Sequence, residues 1–118
     1  MDGVLTEYRI YCTEKDMMQK GYFETLKPEW NMVLAFKKLY EQFGDIPGAN
    51  VYVLTKVFPH FLTYSLDEKK IWKEKFLSCL PDSNFVMVDG EVTEKSQAIK
   101  NQLGIEIDEN CFLIDDYN

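Results

Sequence analysis

Nowhere in the 118 residues does an apolar run approach the roughly 20 positions needed to span a bilayer, and the first residues carry an acid where a secretory signal would carry base. Those absences point to a cytoplasmic protein and away from a membrane partner. Basic residues are in the minority, 13 against 20 acidic ones. The formal charge of −7 disfavours broad attraction to nucleic acid or to an anionic membrane, while leaving room for a small phosphorylated substrate bridged by a cation. Cysteine is scarce. Cys12, Cys79 and Cys111 are far apart and odd in number, which favours reduced, mostly buried thiols over a disulfide framework or a zinc site. Histidine is scarcer still: His60 follows Pro59 in an aromatic stretch. With no second histidine to share a metal or complete a triad, it reads as a loop or packing residue.

What the chain does contain is 46% hydrophobic and 28% charged residues, the proportions of one soluble globular domain. A domain of this size buries roughly two-thirds of its unfolded surface and needs no disulfide or structural metal. Three short apolar runs, Val51 to Leu54, Phe85 to Val88 and Cys111 to Ile114, lack polar alternation and read as strands covered on both faces. Helical patterns separate them. Trp30, Val33, Leu34, Phe36, Leu39, Tyr40 and Phe43 recur at spacings of three and four, with Pro28 suited to a first turn and Gly44 as a stop, which predicts a helix from Glu29 to Phe43. Ser65 and Glu68 have the spacing of a capping box and announce a second helix that runs to about Leu80, before Pro81. A third helix is expected from Glu94 to Leu103, closed by Gly104. The alternation predicts a single α/β domain with a doubly wound parallel sheet and flanking helices. The first 27 residues have no clean period, although Val4 to Cys12 is rich enough in β-branched and aromatic residues to form a strand.

In open parallel α/β sheets ligands collect beyond the carboxyl ends of the strands. The residues expected there are Thr55-Lys56, Asp89-Gly90 and Asp115-Asp116. A hydroxyl, a lysine and a carboxylate pair suit a phosphate together with a divalent cation, because magnesium takes hard oxygen ligands and phosphoryl oxygens take cationic and hydroxyl donors.

Met1-Asp2-Gly3-Val4-Leu5-Thr6 resembles the tail of the first motif of the haloacid dehalogenase superfamily, in which an apolar strand leads into Asp-x-Asp-Gly-(Thr or Val)-Leu-Thr. Val51 to Thr55, then Lys95, then Phe112 to Asp116 follow in the order of the remaining three motifs. The resemblance covers nearly the whole chain. Tyr52 to Lys56, Glu94 to Ser96 and Leu113 to Tyr117 look most like the 5'-nucleotidase or deoxyribonucleotidase-like branch. The resemblance implies a magnesium-dependent phosphatase acting through an aspartyl-phosphate on a small phosphate ester such as a nucleoside monophosphate. Asp2 matches the general acid and metal-binding Asp, Thr55 the hydroxyl that holds a phosphoryl oxygen, and Lys95 the cation that stabilises nucleophile and phosphate. Lys100 is a rival to Lys95 on the same helix. Asp115 matches the metal-binding acid, with Asp116 beside it.

One departure from the family pattern matters for activity: the nucleophilic Asp would stand one position before Met1. The chain is therefore expected to be inactive in this form, as a shortened gene product or fragment, with relatives also continuing past Asn118. The strand that leads into the first motif is central in the family, so Val4 to Cys12 moving into its place, or a second copy contributing a strand in a homodimer, are alternatives. The 48 or so residues between Thr6 and Thr55 leave no room for a large cap. The site should be open, with Tyr8, Tyr11, Tyr22 and Phe23 available to stack on a base, line a lid or pack in the core. The rival function is a non-catalytic phosphate- or nucleotide-binding or interaction module. A receiver-like or flavodoxin-like domain fits less well, since a receiver would carry its acceptor Asp where Thr55 stands.

Overall fold

The computed structural model describes all residues except 2, 8, 10, 45, 47–49, 92–93 and 115–118. In chain order the elements are α1 (Glu14–Met17), α2 (Trp30–Phe43), β1 (Val53–Val57), α3 (Ser65–Phe76), a 3₁₀ turn at Asp82–Asn84, β2 (Phe85–Asp89) and α4 (Lys95–Ala98). A π-type turn at Ile99–Leu103 continues α4.

β1 and β2 pair in parallel, with Val53 opposite Phe85, Thr55 opposite Met87 and Val57 opposite Asp89. Both faces of this two-stranded sheet are covered, as uninterrupted apolar strands require. Val53 and Phe85 join a main core with Leu5, Phe23, Leu26, Val33, Trp72, Leu77 and Leu80, against which Met87 also packs. The alternate residues Val86 and Val88 turn to the opposite face, where Ala98 lies with Tyr52, Leu54 and Leu103 packed around them. Helices α2 and α3 thus serve one face and α4 the other. The molecule is a small mixed α/β globule with a parallel strand pair and flanking helices.

The helix expected from Glu29 is α2, with Glu29 at its N-cap. Pro28 lies before the helix, in an antiparallel bridge to Thr6. Gly44 ends the helix in right-handed geometry; a Cβ there would lie 2.6 Å from the Tyr40 carbonyl oxygen, so close approach is what demands glycine. Gly104 ends the third helix with φ +66°, its N–H donating to the Lys100 carbonyl.

Several expectations are corrected. The Ser65/Glu68 capping box does not form: Tyr64 is the N-cap and α3 ends at Phe76 rather than near Leu80. Ser65 Oγ instead accepts the Phe58 N–H at 2.9 Å, and the Glu68 carboxylate accepts the N–H groups of Gly21 at 2.7 Å and Phe23 at 3.0 Å. The buried residues of α3, Ser65, Glu68, Lys69, Trp72 and Lys73, fall at successive spacings of three, one, three and one. They form one stripe; preceding segments supply partners to Ser65, Glu68 and Lys69, and Lys73 pairs with Glu74 and Asp82. A capping box does occur at α1, where Thr13 and Asp16 bond reciprocally.

The run Cys111 to Ile114 forms no strand. Phe112, Leu113 and Ile114 are 92%, 68% and 68% exposed, with no ladder partner among the described residues. The described residues of the Val4 to Cys12 stretch form no strand either, only the Thr6 to Pro28 bridge; Tyr8 and Ile10 lie outside the description. The cysteines are free, but Cys79 and Cys111 are exposed and Cys12 is half-buried, against the expectation of mostly buried thiols.

Candidate functional site

β1 runs through Thr55 to Val57 instead of ending at Leu54, because Lys56 and Val57 continue the register with Val88 and Asp89. Thr55 is therefore a mid-strand residue, 2% exposed. Its Oγ1 accepts a hydrogen bond from Lys69 Nζ at 2.9 Å. Lys69, also 2% exposed, donates to the Lys56 carbonyl oxygen as well, and its Nζ lies 5.1 Å from the centre of the Phe23 ring, within cation–π range.

Lys69 escapes a reading of sequence motifs, because a lysine on a charged helix reads as a solvated residue. One signal could have found it. Placing Trp72 and Phe76 inward puts positions 65, 68 and 69 on the same face by helical phase.

Lys95 opens α4 and is half-buried, with no hydrogen bond joining it to Thr55. It lines an apolar cavity of about 350 Å³ beside Met1 and Leu54. Met32, Phe36 and Leu39 of α2 form one wall, Val51–Leu54 another, and Leu113 and Ile114 a third. The Met1 ammonium donates to the Leu54 carbonyl at 3.4 Å. Lys100 turns away to pair with Glu106 at 3.6 Å, which leaves Lys95 the better placed of the two rivals. Lys56 reaches Glu94 at 4.0 Å.

Beyond the strand ends, Glu91 ties the loop after β1 to the end of β2. Its Oε1 accepts the N–H groups of His60 and Phe61, each at 2.9 Å, and Oε2 lies 2.9 Å from His60 Nδ1. The hydrogen bond to Glu91 raises the His60 pKa above its ordinary value. The same bond, with the backbone N–H of Phe61, lowers that of Glu91. His60 is thus a loop residue, its side chain 90% exposed.

Asp2, Asp115 and Asp116 lie outside the described residues. Their carboxylates are the hard oxygen donors magnesium prefers, and among the described residues no three His, Cys, Asp or Glu side chains cluster to hold a metal. Of the aromatic residues considered for stacking, Tyr8 is outside the description and Tyr11 is 92% exposed, whereas Phe23 is core. Tyr22 is half-buried, edge-on to Phe23 at 5.0 Å, with Arg9 over its ring at 5.0 Å.

No helix among the described residues is long and apolar enough to cross a membrane. Set against family models, curated proteins and solved structures, the chain matches none.

Proposed function

We propose that this chain is a haloacid dehalogenase-like domain, a member of a doubly wound sheet, whose site handles a small phosphate ester in the manner of a magnesium-dependent nucleotidase. One observation carries the reading: a buried hydroxyl, Thr55, held against a buried ammonium on one strand of a parallel pair. Hydroxyl and ammonium donors in a low-dielectric setting are what a phosphoryl oxygen requires.

In this reading Thr55 donates to a phosphoryl oxygen, Lys95 adds positive charge from the start of α4, and Asp2 protonates the leaving oxygen. Asp115, Asp116 and Asp2 would hold magnesium, which neutralises phosphate charge when bound. The cytoplasm, where phosphate esters and magnesium abound, is the compartment this chemistry suits.

The test is phosphate release from nucleoside monophosphates and sugar phosphates with magnesium, for the 118 residues and for a form extended upstream. The reading expects turnover on extension, abolished by Asp115→Asn. Absence of both turnover and phosphate binding in either form would overturn it.

A second reading is favoured by the apolar cavity beside β1. Among the described residues β1 pairs on one side only, and the same chain exposes the apolar run Phe112–Ile114. A second copy could supply an extended segment to that edge, making the domain a self-associating module. Light scattering at increasing concentration decides: a dimer lost in Ile114→Asp supports this reading, and a monomer throughout removes it.

A further inference from the structure

Lys69, like Glu68 and Lys73 of the same helix, is a buried charged residue, and burying an ammonium is unfavourable unless its charge and hydrogen bonds are used. An apolar side chain of the same length would fill the space against Phe23 without that cost. One use of that charge is at Thr55. A hydroxyl has one proton to donate and two lone pairs to accept with. Lys69 Nζ occupies a lone pair of Thr55 Oγ1 at 2.9 Å, and among the described residues Oγ1 makes no other hydrogen bond. The ammonium cannot accept, so the Thr55 proton is forced to point away from it. A hydroxyl polarised by a cation on its acceptor side is also the stronger donor.

Lys69 is itself held from several directions, by the Lys56 carbonyl oxygen and by the face of Phe23. Its position is therefore fixed independently of any ligand. Thr55 is fixed too, by the β1–β2 register opposite Met87. The two together make a preformed donor pair in a buried setting.

We propose that Lys69 is a positioning residue that turns and polarises the Thr55 hydroxyl so that it donates to an anionic oxygen of a tetrahedral phosphoryl group. This rests on the phosphate-handling reading of the site and adds to it a residue outside the four motifs. Lys95 supplies charge from the start of α4, whereas Lys69 acts through Thr55.

The experiment is calorimetric titration of inorganic phosphate with magnesium into the 118-residue chain, its Lys69→Met, Thr55→Val and doubly substituted forms, with denaturant unfolding of each. The expected result is a loss of at least about tenfold in phosphate affinity for Lys69→Met, with the variant still folded. The double variant should bind no worse than either single one, because both remove the same donor. Lysine acting only in packing would leave phosphate affinity unchanged, or give losses that add. Should Lys69→Met not fold, NMR of the unsubstituted chain decides, with the Lys69 ε-carbon and the Thr55 methyl both shifting on phosphate addition. A methyl shift without a lysine shift overturns the inference. Failure of the unsubstituted chain to bind phosphate, both at 118 residues and extended upstream, removes the phosphate reading and this inference together, whereas binding that Lys69→Met leaves intact removes the inference alone.

Discussion

Trp72 donates its indole N–H to the Leu26 carbonyl at 2.8 Å, joining α3 to a segment 46 residues earlier. Trp72 is fully buried and Leu26 nearly so, so the bond closes where no water can replace it. The first 28 residues hold little regular structure of their own, and contacts of this kind fix them to the body of the domain. Trp72→Phe leaves a buried carbonyl without a donor and a void beside it. The expected loss is about 2–4 kcal/mol in denaturant unfolding, with Leu26 and its neighbours gaining amide exchange before the rest of the chain.

Glu68 does the same work one turn earlier on α3. Its two carboxylate oxygens accept two backbone N–H groups, those of Gly21 and Phe23, at a side chain only 4% exposed. Glu68→Gln keeps the shape but turns an amide N–H₂ toward one of those donors. It should destabilise by about 1–3 kcal/mol, and a thermal melt that matched the unsubstituted chain would refute this account.

Gly90 extends the parallel ladder by donating to the Val57 carbonyl at 2.8 Å. A Cβ there would stand 2.7 Å from the Phe58 ring. Gly90→Ala must push Phe58 off the edge of the core, which predicts a loss of about 1–3 kcal/mol; the companion Phe58→Ala/Gly90→Ala chain should lose less than the sum of the single changes.

The His60–Glu91 pair predicts a pH dependence local to the strand ends. His60 has its pKa raised, so its contribution is full below the ordinary value of 6.5 and fades as pH climbs through the raised value. Glu91 has its pKa lowered, so its contribution is full above 4.5 and fades as pH falls through the lowered value. The loop should therefore be held best between about pH 4.5 and 6.5. Protection factors at His60 and Phe61, measured across this range, should peak there, and in Glu91→Gln the peak should vanish.

How far these features were legible in the sequence depends on the range of the interactions. The extent of α2 and the apolar strands at Val53 and Phe85 follow from periodicity and composition over ten or fifteen residues, and both formed, although of the apolar residues of α2 only Val33 is buried while Trp30, Leu34, Leu39 and Phe43 stay exposed. Ser65 and Glu68 match a local cap just as well as they match their actual roles. Their partners Gly21 and Phe23 lie 47 and 45 residues away, beyond the reach of any local pattern. Cys111–Ile114 has a strand's composition, yet a strand exists only where a neighbour supplies a ladder. Thr55 is legible as a hydroxyl of the first apolar strand, though it lies in mid-strand and not at the end, while the ammonium bonded to it belongs to the next helix, and only the fold brings the two together.

The Met1 ammonium rests against the Leu54 carbonyl at the mouth of an apolar cavity, and Met1 itself is only 9% exposed. Any affinity tag or fusion partner joined at that end would add residues beside the cavity and turn the ammonium that makes this contact into an amide. Recombinant material prepared for binding or association measurements is for that reason better tagged at the opposite end, or released by a protease that leaves Met1 as its first residue.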